Sequence, residues 1–375
     1  MDFSDIFKLR KTGISAVLAL FLILFNISAL FSQSVGTDTS MDASATGGIE
    51  AQKPEGKEGH GGEEKFDPTP VIMEHIADSH YWHLWGETSL SLPVILITDK
   101  GVEAFSSSKF EHGEAVYQGN YYKYKLVEDK VMVVDASGNV DKATSSRVYD
   151  FSITKNVAAL WIAVILIILI FTSVSSAYRK REGKAPKGFQ SLIEPVILFV
   201  RDDIAIPNIG HKYEKFMPLL LTLFFFIWIN NMMGLIPVFP GGANVTGNIF
   251  MTFLLAFIVL LVVNFNGSKH YWKEIFAPDV PWWLYPIMIP VEIIGVISRP
   301  FALMIRLYAN ISAGHIIVLS LISLIFIFKS LAVAPVSVAF VLFMDVLELL
   351  VAFLQAFIFT ILTALFIGTA VSEHH

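Results

Sequence analysis

The sequence predicts an all-α polytopic membrane protein with about five to six membrane-embedded helices, preceded by a small β-rich exported domain. Apolar residues make up 54% of the 375 residues, whereas charged residues make up only 16%. Several apolar runs reach the roughly 20 residues that an α-helix needs to cross the hydrocarbon core of a bilayer. Basic residues after individual runs then indicate which end of each helix faces the cytoplasm.

Residues 1–33 have the layout of a secretory signal. Three basic residues precede an apolar stretch over 13–31, which is the order found in signal peptides. We predict cleavage near Ser32–Gln33 and keep an uncleaved signal anchor as the alternative, since either one exports the next part of the chain. Residues 34–66 are rich in Ser, Thr, Gly, Glu and Lys, and this composition predicts a disordered linker.

Residues 67–150 are predicted to form the exported β-rich domain. One strand is predicted over 90–98 and a hairpin over 123–134, with its turn at 128–129. A second turn is predicted over 136–139.

Three histidines near the start of this domain raise a metal-binding hypothesis. His75, His80 and His83 are spaced by five and three residues, which does not form one helical ligand face. No set of carboxylates or cysteines accompanies them. We therefore interpret them as ordinary surface histidines and expect neither a metal nor a cofactor.

Residues 151–375 are predicted to form the membrane domain. A basic cluster follows the first span, Val157–Ala177, so this helix runs from the exported side to the cytoplasm. Phe189–Ile204 is too polar to span and predicts an amphipathic helix on the cytoplasmic surface. Two further spans are predicted over 217–238 and 247–266. The chain then ends in the cytoplasm, and we expect it in a bacterial inner membrane.

The last two apolar segments are unusually long. Residues 285–328 and 337–370 comprise 44 and 34 residues, more than an upright crossing requires. Steeply tilted helices explain this length, and so do two kinked ordinary spans with ends outside the membrane. Pro286, Pro290 and Pro300 permit such kinks.

Arg306 lies inside the first of these segments. Its guanidinium stays protonated in proteins, and a fixed charge at membrane depth costs between about 3 and more than 10 kcal/mol. Such a charge usually marks an ion path, and snorkelling to the headgroups is the alternative. Around a helix, Asn310 lies about 40° and Ala313 about 20° from Arg306, whereas His315 lies about 180° away.

The final segment carries a second polar set. Asp345, Glu348 and Gln355 are separated by steps of three and seven residues, which puts them on one helix face together with Ala352. Acidic groups inside apolar helices are costly unless they are paired or hydrated. Glu348 and His315 are therefore candidates for proton exchange. Asp345 either extends such a path or lies at the mouth of the helix.

Three motifs in this order resemble subunit a of the F-type rotary ATP synthase, the stator chain beside the rotating c-ring. They are Pro-Val-Glu-Ile-Ile-Gly-Val-Ile-Ser-Arg-Pro over 290–300, Arg-Leu-Tyr-Ala-Asn-Ile-Ser-Ala-Gly-His over 306–315, and Leu-Gln-Ala-Phe-Ile-Phe over 354–359. Residues 230–237 also resemble this family. The resemblance covers roughly residues 157–370.

This resemblance implies a stator that conducts protons through two offset half-channels to and from the c-ring, coupling proton flow to ring rotation and ATP synthesis. The last two segments would form a long, strongly tilted hairpin against the ring. Arg306 would be the essential stator charge between the half-channels. His315, Glu348, Gln355 and Asn310 would line the exported-side half-channel, with Gln355 near Arg306.

Glu348 and His315 form a hypothetical pair by the same analogy. Many family members carry a carboxylate and a histidine at these positions in reverse order, and the exchange would keep the chemistry of the pair. We hypothesise that the two side chains face each other between the long helices. Glu292 and Ser298 would line the cytoplasmic half-channel, about 21 Å from Arg306 in the case of Glu292. The alternative is that Glu292 and Ser298 are solvated at the membrane interface and have no channel role.

Asn230 and Asn231 lie near the outer end of the second predicted span. They either cap helices and bond neighbouring helices or belong to the channel, and the sequence leaves both readings open.

The expected partners are the c-ring subunits, the peripheral-stalk subunit b, the remaining ATP synthase subunits and the lipid bilayer, but no nucleic acid. The sequence has no P-loop or other nucleotide-binding motif, so ATP chemistry would reside on partner chains. It has no cysteine, which excludes disulfides and thiol catalysis.

Two other classes of protein compete with this interpretation. A secondary transporter that binds a solute or ion at the membrane midplane would usually show two related halves with paired broken helices, and we find no such repeat. A membrane anchor or scaffold would leave Arg306, Glu348 and Gln355 without a role.

Overall fold

The described part of the chain, in the computed structural model, begins at residue 77. It comprises residues 77–85, 88–127, 129–180, 185–236, 241–278, 280–328 and 333–372. The signal predicted over 1–33 and the linker predicted over 34–66 lie outside these residues.

Antiparallel strands occupy the first part of the described chain. They are β1 Tyr81–Trp85, β2 Thr88–Ser91, β3 Pro93–Thr98, β4 Gly101–Ser106, β5 Tyr117–Gln118, β6 Lys123–Val127, β7 Lys130–Val134 and β8 Tyr149–Asp150. β1 pairs with β2, β3 lies between β4 and β8, and β6 lies between β5 and β7. A β-rich N-terminal region is thereby confirmed, including the hairpin formed by β6 and β7.

The single strand predicted over 90–98 is wrong. The chain leaves one sheet after β2 and enters another at β3, with Leu92 between them. The backbone N–H of Leu92 is directed to the carbonyl of His80 and the hydroxyl of Ser107. Pro93 has no N–H for a ladder hydrogen bond. The strand is therefore interrupted here, although the alternation of apolar residues continues through this point.

The β-region, residues 81–150, has its own core. Val94, Leu96, Phe110 and Tyr124 are completely buried in it. Glu103 is also buried, and its carboxylate accepts two backbone N–H groups and the hydroxyl of Tyr124. A buried carboxylate is tolerated because hydrogen bonds replace its water.

The interpretation of His80 as a surface residue is wrong. His80 is 4% exposed, and its Nε2 lies 3.2 Å from Oδ2 of Asp150. Burial alone would lower the pKa of His80, but the hydrogen bond and charge of Asp150 raise it above its ordinary value. Burial would raise the pKa of Asp150, but hydrogen bonds from His80 and Ser152 lower it. His83 is exposed, and His75 lies outside the described residues.

Helices make up the rest of the described chain. They are α1 Lys142–Ser145, α2 Lys155–Lys180, α3 Phe189–Phe199, α4 Ile206–Ile209, α5 Tyr213–Leu235, α6 Ile249–Phe265, α7 Lys269–Phe276, α8 Tyr285–Phe328 and α9 Ala334–Val371. A π-helical stretch, Val200–Ala205, joins α3 to α4.

Four described helical segments are long and apolar enough to cross a membrane. They are Lys155–Lys180, Phe189–Leu235, Trp282–Phe328 and Ala334–Val371. A fifth is counted if α6 and α7, which meet at an angle of 103°, form one bent span. The polytopic all-α membrane architecture is confirmed.

The predicted amphipathic helix comprises α3 and the π-helical stretch. One apolar face, which includes Ile197 and Ile204, is buried, whereas Asp202 and Asp203 are exposed. The segment packs against α2, α5 and α9. Near its end the carbonyl of Asn208 lies directly against Gly368 of α9, where a side chain would collide with it.

Helices α8 and α9 form an antiparallel hairpin. Ser337 donates to the carbonyl of Leu321 near the turn, and the guanidinium of Arg299 lies 5.9 Å from the ring centre of Phe366 near the other end. The 44 residues of α8 extend about 66 Å, roughly twice the thickness of a hydrocarbon core.

Of the two hairpin helices, α8 is the peripheral one. Only 6% of the apolar window in Trp282–Phe328 is buried inside the protein, compared with 78% for Phe189–Leu235. Helix α5 therefore forms the centre of the bundle, whereas α8 presents most of its surface to the surroundings.

Candidate functional site

Arg306 lies on the outward face of α8. Leu303 and Leu307, on the inward face, are at most 2% exposed, whereas Arg306, Asn310 and Ala313 are all exposed. The helical angles predicted from the sequence are consistent with this shared face. Within the described part of the chain, Arg306 has no hydrogen bond or ion pair, so its charge is directed away from the protein.

Gln355 lies at the same height as Arg306 on the neighbouring helix. Two contacts define the antiparallel register of α8 and α9. Gly314 meets Glu348 on one side of Arg306, and Arg299 meets Phe366 on the other. Gln355 is 3% exposed and is thus on the inner side of the hairpin. Among the described residues its amide makes no hydrogen bond with Arg306.

Glu348 packs directly on the backbone of α8. A Cβ atom on Gly314 would lie 2.6 Å from Oε1 of Glu348, so glycine leaves the space that this carboxylate occupies. That oxygen is buried and has no hydrogen-bond partner in the described structure. Asp345, one turn earlier on α9, is exposed.

His315 lies next to Gly314 in sequence and reaches towards α5. Its Nε2 is 3.6 Å from the position that a Cβ of Gly234 would occupy, and the carbonyl of Ala243 is equally close to that position. His315 and Glu348 therefore lie on the same level of the hairpin. His315 lies beside α5 and the loop over 241–247, whereas Glu348 lies against α8.

A group of buried amides lies at the C-terminal end of α5. Asn231 donates to the carbonyl of Ala352 at 3.2 Å and accepts from the hydroxyl of Thr246 at 2.6 Å. The Oδ1 of Asn230 and the Nδ2 of Asn244 are buried without partners in the described structure.

These orphaned polar atoms indicate where water belongs. Leaving a buried polar atom without a hydrogen bond costs about 1–3 kcal/mol, and buried waters usually satisfy such groups. The sequence left open whether Asn230 and Asn231 bond neighbouring helices or belong to the channel. Asn231 bonds a neighbouring helix, whereas Asn230 has a buried acceptor that water could satisfy. Sequence reasoning missed Asn244 and Thr246, although two polar residues in a Gly-rich turn were an available signal.

The two residues assigned to the cytoplasmic side lie on the first half of α8. Glu292 is partly buried and Ser298 is exposed, with its hydroxyl donating to the carbonyl of Gly295 at 3.1 Å. The structure does not bring either residue close to Arg306. The next residue, Arg299, stacks on Phe366 instead.

No group of three or more His, Cys, Asp or Glu side chains among the described residues could hold a metal ion. The polar groups described above on the helices lie in two regions. One comprises the polar groups near Glu348 and His315, several of them buried without partners in the described structure, and the other is the outward face around Arg306.

Known proteins match both parts of the chain. Residues 157–368 match the family model of the ATP synthase A chain, and residues 71–151 match a domain of unknown function. The chain is 48% identical over 230 residues to ATP synthase subunit a of Chloroherpeton thalassium, covering 60% of this chain and 68% of that protein.

Two other relatives extend the comparison. ATP synthase subunit a of Chlorobium phaeobacteroides strain DSM 266 is 35% identical over 374 residues, covering 96% of this chain and 93% of that protein. ATP synthase subunit a of Myxococcus xanthus is 41% identical over 233 residues, covering 60% and 75%. The chain therefore belongs to the ATP synthase A chain family, the proton-translocating stator subunit of the F-type ATP synthase.

Proposed function

We propose that this chain carries protons to and from a ring of c subunits through two half-channels that are offset across the membrane, and so couples proton flow to ring rotation and ATP synthesis. The observation that carries this proposal is the outward position of Arg306 on a peripheral helix. A fixed charge on an apolar outer face persists only if the surroundings supply an anion or water. An ionised carboxylate on an adjacent ring supplies that anion.

The exported-side half-channel is assigned to Glu348, His315, Asn310 and Gln355. The buried oxygen of Glu348 and the unpaired amide atoms near α5 support this assignment, because water that satisfies them also conducts protons. The cytoplasmic half-channel is assigned to Glu292 and Ser298. This assignment is supported by their height along α8, in the half of the helix before Arg306.

In the proposed cycle, a proton enters through the water around Glu348 and His315 and neutralises a ring carboxylate. The neutral carboxyl then passes into lipid, because only the ionised form is prohibitively costly there. After nearly a full turn the carboxyl releases its proton into the cytoplasmic half-channel. In this scheme one chain supplies both inlet and outlet, whereas ATP chemistry takes place on partner subunits.

Arg306 separates the two half-channels in this scheme. Its charge attracts the ionised ring carboxylate, promotes release of the proton and repels protons that would cross directly. A membrane potential of 100 mV supplies about 2.3 kcal/mol per proton, and a direct leak would dissipate it. The permanence of the guanidinium charge is the reason for an arginine at this position.

We also assign the orientation and the partners. Arg179 and Lys180 at the end of α2 support a cytoplasmic location for that end. The β-region at the opposite end of α2 is then the exported domain, 67–150, and the membrane domain, 151–375, ends in the cytoplasm. Besides the c-ring, the peripheral-stalk subunit b and the remaining subunits of the complex are its partners in a bacterial inner membrane.

Cross-linking from the outward face tests the proposal. Because the chain has no cysteine, Ala313→Cys provides one attachment point for a photoactivatable maleimide on the face of Arg306. We expect a cross-link to a c subunit in the assembled complex. Leu169→Cys is the matched control, since Leu169 is 61% exposed on α2, away from the hairpin. Equal cross-linking to c from both positions, or from neither, would contradict the assignment of this face.

The contact between Gly314 and Glu348 gives a further prediction. In Gly314→Ala, the added methyl group displaces the carboxylate of Glu348, and proton-driven ATP synthesis should fall about tenfold to a hundredfold, as expected for a displaced catalytic group. The matched control is Gly295→Ala on the same helix, where the added methyl meets no atom within 4 Å. Synthesis rates in reconstituted vesicles compare the two, and equal rates would remove the positioning role of Gly314.

A further inference from the structure

A tryptophan of the β-region, Trp82, packs among the membrane helices. Tyr81 and Trp82 are adjacent in β1, so their side chains point to opposite faces. Tyr81 belongs to the core of the β-region, whereas Trp82, at 2% exposure, belongs to the core of the helical bundle. Leu92 joins Trp82 in that bundle core. The β-region therefore shares packing with the membrane domain.

Trp82 forms a specific bond with the loop over 241–247, which connects α5 to α6. Its indole Nε1 donates to the carbonyl of Gly241 at 3.0 Å, and this hydrogen bond is buried. Gly241 lies so close to the carbonyls of Met233 and Ile236 that a side chain would collide with them. The N–H of Gly242 also donates to the carbonyl of Met233. Trp82 thus bonds the loop at the point where it folds back on α5.

A second attachment joins the β-region to α2. The carboxylate of Asp78 accepts from the backbone N–H of Asn156 at 3.0 Å. The carbonyl of Ser79 accepts from the backbone N–H of Lys155 at 2.8 Å. Residues 151–153 continue alongside β3 by backbone hydrogen bonds, so the β-region and α2 are held in fixed relation.

The loop held by Trp82 lies beside His315 and the buried amide of Asn231. The carbonyl of Ala243 and the Nε2 of His315 both lie 3.6 Å from the Cβ position of Gly234. Thr246 donates to Asn231, and the carbonyl of Gly247 accepts from Ser312 of α8 at 3.3 Å. A displacement of this loop would therefore disturb its hydrogen bonds with Asn231 of α5 and Ser312 of α8.

We propose that the exported β-region is a clamp that bridges α2 and the loop over 241–247, and that Trp82 is a positioning residue for the exported-side proton inlet. The inference rests on the proposed inlet for its functional consequence. It assigns a role to the part of the chain that matches a domain of unknown function. Trp82 acts through the loop and does not itself transfer protons.

Cysteine accessibility tests the clamp in the assembled complex. Ala243 is 1% exposed, so Ala243→Cys should react slowly with a membrane-impermeant maleimide added on the side of the β-region. In this background Trp82→Phe keeps an aromatic ring but loses the donor. We expect labelling to accelerate about threefold to tenfold, the factor by which the loss of one hydrogen bond shifts a local opening equilibrium. Trp82→Ala should accelerate it further.

Proton flux gives the functional readout. We expect Trp82→Phe to alter the dependence of flux on pH at the side of the β-region and to leave the dependence on pH at the opposite side unchanged. The control is Trp282→Phe, because Trp282 is 83% exposed and lies just before α8. ATP hydrolysis by the purified complex monitors assembly, and Trp82→Phe keeps the test valid if Trp82→Ala does not assemble.

Unchanged labelling in both Trp82 variants would overturn the clamp. Faster labelling with an unchanged flux profile would overturn the positioning role, because the loop would then move without consequence for the inlet. Glu348→Gln tests the inlet separately, because it alters no residue of the β-region. Unchanged proton flux in this variant would show that the inlet is wrongly placed.

Discussion

Arg306→Ala is expected to abolish proton-driven ATP synthesis while the assembled complex still hydrolyses ATP. The substitution removes the charge that attracts the ionised ring carboxylate and blocks direct leakage. Loss of one electrostatic group from a site that excludes water costs about a hundredfold or more in rate. Synthesis and hydrolysis are measured on the same purified complex in vesicles under an imposed proton gradient.

Arg299→Ala is the matched control for this substitution. Arg299 lies two turns earlier on α8 and is also exposed, but it stacks on Phe366 of α9. We expect its removal to affect packing and to leave most of the ATP synthesis activity. Should the Arg306→Ala complex still synthesise ATP, or should both variants lose synthesis equally, the special role of Arg306 would be refuted.

The second large effect is expected for Glu348→Gln. Gln fills nearly the same space beside Gly314 but cannot exchange a proton at neutral pH. Proton flux should slow by about tenfold or more, as for the loss of a proton-transfer group, and its dependence on exported-side pH should become flatter. Flux is followed in reconstituted vesicles over a range of pH on each side separately.

Asp345→Asn provides the comparison for Glu348→Gln. Both acids lie on α9, one turn apart, but Asp345 is exposed whereas an oxygen of Glu348 is buried against α8. We expect a much smaller loss for Asp345→Asn. A flux that is unchanged in Glu348→Gln at every pH would exclude Glu348 as a relay.

Much of the membrane architecture could be predicted because long apolar runs have few alternatives in a bilayer. The face shared by Arg306, Asn310 and Ala313 followed from helical periodicity, and the structure exposes all three residues. The long segments around Arg306 and Glu348 proved to be α8 and α9. Such inferences succeed because they depend on residues that are close in sequence.

Predictions that depended on distant residues were less complete. His80 gave no sequence signal of its partner Asp150, which lies 70 residues away, and its burial was missed. The break between β2 and β3 at Leu92 was also missed, because the hydrogen-bond partners of Leu92, His80 and Ser107, lie far from it in the chain. Asn244 and Thr246 were missed as well, because their place in the site depends on the loop folding back on α5.

By itself, the sequence determined the positions of the long apolar helices in the chain, the height of Arg306 and Glu348 along them, and the family resemblance. These properties depend on hydropathy and a fixed rise per residue. Only the tertiary structure decided that Arg306 faces outward, that Gly314 makes room for Glu348, and that Trp82 joins the β-region to the loop beside His315. The physical reason is that packing and buried hydrogen bonds form between residues far apart in the chain, where no periodic pattern records them.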